Sequence, residues 1–491
     1  MIITMNKTRT RFAPSPTGYM HIGNLRTALF EFLIAKHEGG DFLLRIEDTD
    51  QERKVEGAVD VIYKTLKECG LNWDEGPDIG GDFGPYVQSE RLPMYKGYAE
   101  DLIKLGGAHY CFCSEEEIEA QRKEAESLGI SFKFNDPCKH LSAEEVQAKL
   151  DAGEPYVIRQ TIKDVGETYF DDEVYGRIEV DGDVLDEQIL IKSDGYPTYN
   201  FANIIDDHQM QISHVVRGNE YLSSTPKYNL IYDAYGWQRP TYVHVPPVMK
   251  DEHHKLSKRN GDASFQDLVA KGYLPEAIMN YIALLGWAPE TEQEIYTLDE
   301  LIKVFNIHRI SKSPAIFDID KLTWMNGVYL RNMDEETYYE TVRPYLEKAV
   351  HGPYNLKEIA KIIQPRIDIL NQIEESVDFF DTLVDYDLEM SRHKKMKTTP
   401  EVALKALKAS KQTLEAFDQW DSMDALHECL LALPKELEMK NGQVLWPIRT
   451  AVSGKQFTPG GAIEIAFILG KDETLRRIQV GIDRLSEIVE E

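Results

Sequence analysis

Three groups of residues in this chain have types and spacings that can do chemistry. The first is His21-x-Gly23-Asn24, which follows the turn Pro14-Ser15-Pro16-Thr17-Gly18. At a helix start this stretch would present unpaired N–H groups and a partial positive charge, a seat for phosphates. Gly23 permits close backbone approach, and His21 can donate to a phosphate oxygen. The second group is Lys255-x-Ser257-Lys258-Arg259, a polar segment followed by Gly261. Its cations can offset charge that accumulates on departing phosphate oxygens, and a loop of this kind can close and reopen as a lid. Taken alone, the first group reads as an ordinary turn and the second as a solvated basic loop. Together they point to one phosphate-handling site. The third group pairs Cys111-x-Cys113 with Cys138-x-His140. Two such pairs, separated by a helical stretch, can surround a tetrahedral zinc with no open position, the alternative being free structural thiols.

These groups need elements to hold them. Residues 8 to 13 alternate in a strand-like way and run into the proline and glycine turn. Leu25, Ala28, Leu29, Phe32 and Leu33 then form the stripe of an amphipathic helix that Gly39 and Gly40 would end, with His21 to Asn24 at its start. Phe42 to Ile46 reads as a strand, and Val55, Val59, Ile62, Leu66 and Cys69 mark a second helix stopped by Gly70. Cys69 falls on that apolar stripe and is expected in the core. Strand, helix, strand, helix predicts a parallel α/β sheet. Between about Leu102 and Lys192 an insertion interrupts it, with a charged helix from Ser114, β-like segments and an expected hairpin turn at Asp181-Gly182. From about residue 330 the chain reads as helices, one of them opening on Thr399 as N-cap with Pro400 at N1.

With 491 residues and 42% hydrophobic content, the chain exceeds what one core fills, since single cores stop growing near roughly 250 to 300 residues. At least three domains are expected. No run of about 18 apolar residues occurs, and the opening MIITMNKTRTRF lacks the apolar stretch of a signal peptide, so a soluble, cytoplasmic protein is expected. Five scattered cysteines suit a reducing compartment. The net charge of −29 argues at first against nucleic acid, but an acidic protein can carry a basic track on one face. Arg392 to Lys397, with Lys405, Lys408 and Lys411, could form one.

The stretch from Arg11 through Asn24 resembles the signature opening of class I glutamyl-tRNA synthetases, and Lys255-Leu256-Ser257-Lys258-Arg259 resembles their Lys-Met-Ser-Lys-Ser loop. Leucine keeps the apolar anchor of methionine, and arginine keeps a donor. The resemblance implies a class I Rossmann-like α/β catalytic domain with an α+β insertion, followed by all-α anticodon-binding domains. It implies that His21, Gly23, Asn24, Lys255, Ser257, Lys258 and Arg259 are catalytic. ATP, with Mg²⁺ bridging its phosphates, would meet Pro14, Ser15, Thr17, Gly18, His21, Gly23, Glu220 and Lys258. No enzyme nucleophile is needed, because a substrate carboxylate attacks.

L-Glutamate would be held by Arg11, Ser15, Glu47, Tyr199, Asn203 and Arg217. Glu47, helped by Ser15, would take the ammonium. A side-chain carboxylate wants fork-shaped, permanent cations, which Arg11 and Arg217 can supply, with Tyr199 and Asn203 as hydrogen-bonding partners. The alternative is that both arginines are ordinary ion-paired residues. Cys111, Cys113, Cys138 and His140 resemble the zinc-binding version of the family's insertion, where some relatives place a tyrosine in the region of Phe134. The zinc would be structural.

The implied domains are residues 1–101 and 193–245 for the two halves of the catalytic domain, 102–192 for an insertion facing the tRNA acceptor end, and 246–328 for a stem-contact region. Residues 329–388 and 389–491 would form two anticodon-binding domains, where Arg366, Trp446 and Arg449 are available but equally suited to core or capping. The implied partner is tRNA(Glu), alone or with tRNA(Gln), bound by a monomer away from membranes. Two rivals are weaker: a paralogue that attaches glutamate to a tRNA base lacks such a helical tail, and a non-catalytic RNA-binding relative would not need His21, Lys255 and Lys258.

Overall fold

The computed structural model describes residues 7–49, 55–130, 132–163, 166–256, 264–383 and 385–489. It divides into two compact units, Met1–Val269 with Pro275–Asp318, and Ala270–Leu274 with Ile319–Glu491. Among the described residues no helix is long and apolar enough to cross a membrane.

In the first unit β1 (Arg9–Phe12) leads through α1 (Ile22–His37) to β2 (Asp41–Leu44), which lies parallel to β1 with Arg9 opposite Asp41. The expected stripe on α1 is there, but burial extends around the helix and takes in Phe30, Glu31 and Ile34 as well. The reason is that α1 packs on both strands and also on the helices Pro275–Ala283 and Leu298–Val304, so no side of it faces solvent for long. Phe32 meets Phe42 edge-on at 5.5 Å and Phe30 meets Phe305 at 5.4 Å. Each fully buried Leu or Phe here contributes about 1.5–3 kcal/mol. Two glycines end α1: Gly39 has φ +65, and a Cβ on Gly40 would lie 2.1 Å from the Thr8 carbonyl oxygen. The second helix, α2 (Ala58–Glu68), stops at Gly70, and Cys69 is buried as expected.

The insertion follows α3 (Leu92–Lys104). Strand β3 (Ala108–Cys111), helices α4 (Glu115–Ser127) and α5 (Ala143–Asp151), and strand β4 (Val157–Gln160) come next. Ser114 opens α4 with a capping box closed by Glu117. Strands β5 (Glu167–Asp172) and β6 (Gly176–Asp181) form the expected hairpin, but its turn lies at residues 173–175 and not at Asp181-Gly182. Asp172 closes that turn by accepting from the N–H groups of Val174 and Tyr175 at 3.0 and 2.8 Å, and Gly176 follows at φ +77. Asp181-Gly182 opens a single 3₁₀ turn instead.

After β7 (Ile189–Ile191) the chain continues as α6 (Tyr199–Gln209), β8 (His214–Gly218), α7 (Thr225–Tyr235) and β9 (Thr241–Val245), with β8 and β9 parallel. Asp172 pairs with Tyr242, so the hairpin extends this sheet in the order β6-β5-β9-β8. The Ser213 N–H bonds to the Arg9 carbonyl at 3.0 Å, which brings the β8 end of that sheet alongside β1.

The second unit is helical. Thr399 caps Pro400–Ala416 by accepting from the Val402 N–H, with Pro400 at the first position. This helix and Asn441–Ser453 pack on the long Ala462–Val489 helix, which bends at Gly470. Arg477 is fully buried among them: its Nη1 donates to the Phe379 and Val452 carbonyls and its Nη2 to the Phe380 carbonyl, each at 2.7 Å, while Glu473 pairs with Nε.

Candidate functional site

His21 is the N-cap of α1, extended at φ −70 and ψ 143, with its Nδ1 accepting from the Gly23 N–H at 3.0 Å. An accepting Nδ1 fixes the neutral ring's proton on Nε2, which makes that nitrogen a donor at the helix's positive end. Ser15, Thr17 and Asn24 are exposed around it. Gly18 takes φ +108, a conformation that favours glycine. The Pro14 carbonyl accepts from the Glu47 N–H at 3.1 Å, tying the turn to the end of β2.

The chain that follows the second motif returns to the same place. Strand β10 (Val248–Met249) bridges to Lys255, and the Leu256 N–H bonds to the Val248 carbonyl at 3.2 Å. Asp251 holds the turn by accepting from the N–H groups of His253 and His254, both at 2.9 Å. Ser257, Lys258 and Arg259 lie outside the described residues. On their far side Ser264 bridges to His21, and the Phe265 N–H bonds to the Met20 carbonyl at 3.3 Å. The downstream root of the basic segment is therefore pinned to the start of α1, more than 240 residues away in sequence.

Beneath lies a buried charge network. Arg11 on β1 gives Asp207 a two-pronged ion pair, Nε at 2.8 Å and Nη2 at 3.1 Å, and Glu31 accepts from its Nη1 at 3.3 Å. Arg45 donates to Asp207 at 2.8 Å and to Glu47 at 3.0 Å. Burial pushes the Asp207 carboxyl up, but Arg11 and Arg45 outweigh it and hold it below the usual range. For Glu47 burial prevails over Arg45 and Arg11, and its carboxyl is raised.

Tyr199, at the start of α6, is 36% exposed, while its hydroxyl lies within electrostatic reach of Glu47, Arg217 and Arg11. Burial and then Glu47 raise that hydroxyl well above its ordinary value, so it stays a donor. Tyr221 packs against Tyr199 with ring centroids 5.6 Å apart. Asn203 is buried and donates to the Tyr199 carbonyl at 2.8 Å. Arg217 sits in an aromatic cage, its guanidinium carbon 4.8, 5.2 and 5.5 Å from the rings of Tyr228, Tyr221 and Tyr242. Its Nε donates to His244 at 3.1 Å and its Nη2 to Thr225 at 2.8 Å. Glu220 is exposed just beyond, and a Cβ on Gly218 would meet its carboxylate.

The two arginines read from the sequence thus share surroundings at Tyr199. Arg11 is also an ion-paired hub, a part the sequence reading gave only as its alternative. Asp207 and Arg45 were missed, although Asp207 closes the same stretch as Tyr199 and Asn203, and Arg45 stands two residues before Glu47. His244, Asp172 and Thr225 carried no sequence signal, since each gains meaning only from register in the sheet.

In the insertion, Cys111, Cys113, Cys138 and Asp136 bring their ligand atoms within 4.8 Å of one another. The sulfurs of Cys113 and Cys138 are 3.6 Å apart, near the spacing of about 3.8 Å that bonds of ~2.3 Å impose on a tetrahedral zinc. His140, expected from the sequence as the fourth ligand, is exposed and stands apart from this group. Cys138 and His140 are two apart in the 3₁₀ turn Pro137–His140, and three residues per turn cannot put both on one side. Asp136, which caps that turn by accepting from the Cys138 N–H at 2.8 Å, stands with the three cysteines. Its other oxygen is hydrogen-bonded to His109 Nε2 at 3.0 Å and ion-paired with the Arg159 guanidinium at 3.3 Å. Burial and the neighbouring Asp136 push the Cys111 thiol up to about 11, a shift that a bound cation would reverse.

In the helical unit Trp446 is core, its Nε1 donating to the Met390 carbonyl at 2.9 Å, and Arg449 stacks on it at 4.4 Å. Arg366 is exposed beside a 650 Å³ groove shared with Lys455 and Phe457.

Residues 7–324 match the family model for tRNA synthetases class I (E and Q), catalytic domain, and residues 337–482 match an anticodon binding domain. A glutamate–tRNA ligase from Clostridium botulinum is 60% identical over 98% of this chain and 99% of its own length. One from Clostridium tetani is 58% identical over 98% of both chains. The crystal structure of a glutamate tRNA ligase from Elizabethkingia meningosepticum in complex with its amino acid superposes with a TM-score of 0.89 at 35% identity, covering 98% of this chain and 100% of that one.

Proposed function

The chain belongs to the class I tRNA synthetases of the glutamate and glutamine branch, and on that premise we propose that it is a glutamate–tRNA ligase whose substrate pocket is built around Tyr199. The observation that carries this reading is geometric: Tyr221 lies against both Tyr199, at 5.6 Å between ring centroids, and the Arg217 guanidinium, at 5.2 Å, while α6 carries Tyr199 at its start and Asp207, the partner of Arg11, further along. Glu47 suits the ammonium of an amino acid, and Arg217 suits its side-chain carboxylate, with Ser15, Asn203 and Arg11 completing the polar wall. Glutamine is disfavoured because its amide NH₂ would face a guanidinium donor and leave both unpaired, a penalty of roughly 1–3 kcal/mol or more.

In the first step the α-carboxylate of glutamate attacks the α-phosphorus of ATP, and pyrophosphate departs with the electron pair of the broken P–O bond. The N-terminus of α1, the Nε2–H of His21 and the backbone around Gly18 and Gly23 hold the phosphates. Pro14, Thr17, Asn24 and Glu220 frame the nucleotide, and Lys255, Ser257, Lys258 and Arg259 offset charge on the departing pyrophosphate. Mg²⁺, when bound with ATP, would supply further positive charge to the triphosphate. In the second step a terminal ribose hydroxyl of tRNA attacks the activated carbonyl and AMP leaves. The enzyme supplies positioning and electrostatics throughout.

Cys111, Cys113 and Cys138 fit a structural zinc, with Asp136 as the fourth group, and the metal would brace the insertion against the acceptor end. The helical unit would receive the anticodon arm, and the enzyme would work in the cytoplasm as a monomer. The six segments read from the sequence remain the proposed division of labour. Charging assays with separated tRNA(Glu) and tRNA(Gln), using labelled glutamate and then labelled glutamine, test the reading. Glutamate on tRNA(Glu) is expected, and a preference for glutamine would overturn it.

A further inference from the structure

Behind the pocket, Arg217 is held by a buried pair on neighbouring strands. Asp172 ends β5 and His244 lies on β9, both fully buried. The carboxylate of Asp172 is fully occupied. Its Oδ1 accepts from the Val174 and Tyr175 N–H groups at 3.0 and 2.8 Å, and its Oδ2 accepts from the His244 N–H at 3.1 Å and from Nδ1 at 2.7 Å. With an acceptor at 2.7 Å, Nδ1 must carry the ring proton. The Nε2 lone pair then faces Arg217 and accepts from its Nε–H at 3.1 Å. Thr225 completes the inventory: its hydroxyl donates to the Tyr221 carbonyl at 2.8 Å and accepts from Nη2 of Arg217 at 2.8 Å. Two of the three guanidinium nitrogens are thereby fixed from behind, and among the described residues Nη1 forms no hydrogen bond.

We infer that Asp172 and His244 act as a positioning pair that sets the orientation of Arg217, and that protonation of His244 releases this arginine and weakens glutamate binding. The inference rests on the pocket reading above. A protonated His244 would aim an Nε2–H at the Nε–H of Arg217, two donors and two positive charges in contact. The groups that face His244 are Asp172 and Phe170 on β5, Arg217 on β8, Tyr242 on β9, Thr225 on α7 and Glu220 in the turn after β8. Burial and Arg217 lower its basicity, Asp172 and Glu220 raise it, and burial prevails. The ring is therefore neutral at pH 7 and gains its proton only below the ordinary histidine value of about 6.5. Free glutamate keeps its side chain ionised down to about pH 4.3, so loss of affinity above that point belongs to the protein.

The test is KM for glutamate and for ATP in the aminoacylation reaction, measured against pH with tRNA saturating. For the unaltered enzyme KM for glutamate should rise as pH falls below about 6.5, with KM for ATP steady. His244→Gln keeps an acceptor near Arg217 but cannot titrate; it should raise KM for glutamate only a few-fold and flatten the acid limb. Asp172→Asn turns an NH₂ toward His244, moves the ring proton to Nε2 and sets donor against donor. It should raise KM for glutamate roughly tenfold or more, the cost of one buried unpaired donor, while kcat and KM for ATP hold. An acid limb that persists in His244→Gln would assign the titration to Glu47 and overturn the inference, as would Asp172→Asn shifting both KM values equally. Should Asp172→Asn fail to fold, because it also closes the β5–β6 turn, the pH profile of His244→Gln decides alone. Failure of the pocket reading is separate: Arg217→Gln would then lose ATP and glutamate together.

Discussion

Arg11 and Asp207 lie 196 residues apart in sequence and meet in a buried two-pronged ion pair, Nε to Oδ1 at 2.8 Å and Nη2 to Oδ2 at 3.1 Å. This pair joins β1 to α6, and with Arg45 and Glu47 it forms the floor of the proposed pocket. A buried pair of this kind is weak evidence for stability, because desolvation offsets much of the attraction. What it supplies is a fixed field: two arginines and two carboxylates that cannot relax away from a small charged ligand.

Arg217→Gln should raise KM for glutamate by roughly a hundredfold, about 3 kcal/mol, since it removes one partner of a buried charge pair. KM for ATP should stay within a factor of about two. Steady-state kinetics with each substrate varied in turn checks this, and equal losses would remove Arg217 from the pocket.

Lys258→Ala should slow adenylate formation by roughly a hundredfold or more while leaving tRNA affinity nearly unchanged, because its charge matters when pyrophosphate departs. A rapid-quench measurement of the first turnover reads this directly. A normal rate would take the lysine out of the mechanism.

Zinc should be found at about one equivalent per chain. Cys138→Ser and Asp136→Asn should lower that content, and His140→Ala should leave it unchanged. Metal analysis of the three variants separates the geometric cluster from the sequence spacing. Retention in Asp136→Asn with loss in His140→Ala would restore the histidine as ligand.

Arg477→Met should destabilise the helical unit by about 3–5 kcal/mol, since it removes the donor from three buried carbonyls and leaves Glu473 without its nearest buried partner. The expected sign is a lowered unfolding temperature with catalytic rates of the remaining folded enzyme intact. An unchanged transition would mean that water replaces the guanidinium.

The sequence made the local features legible because each is written in a few adjacent residues. The proline and glycine turn, the start of α1, the stop at Gly39, Cys69 as core and the cap at Thr399 all follow from short-range chemistry. What escaped depends on register between distant segments. Asp172 carries no local signal in an acidic stretch, and the hairpin turn expected at Asp181-Gly182 lies one strand earlier, at residues 173–175, although that dipeptide suits a turn equally well. Only the pairing of Asp172 with Tyr242 carries that side chain to His244. The metal cluster shows the same limit: spacing suggested four ligands, but the pitch of a 3₁₀ turn swings His140 out and leaves Asp136 inside.

The most direct test of the central claim is exchange of labelled pyrophosphate into ATP, with glutamate or glutamine and with or without tRNA(Glu). The account predicts exchange with glutamate in the presence of tRNA, and little with glutamine. Exchange driven by glutamine, or none with either amino acid while tRNA still binds, would contradict it.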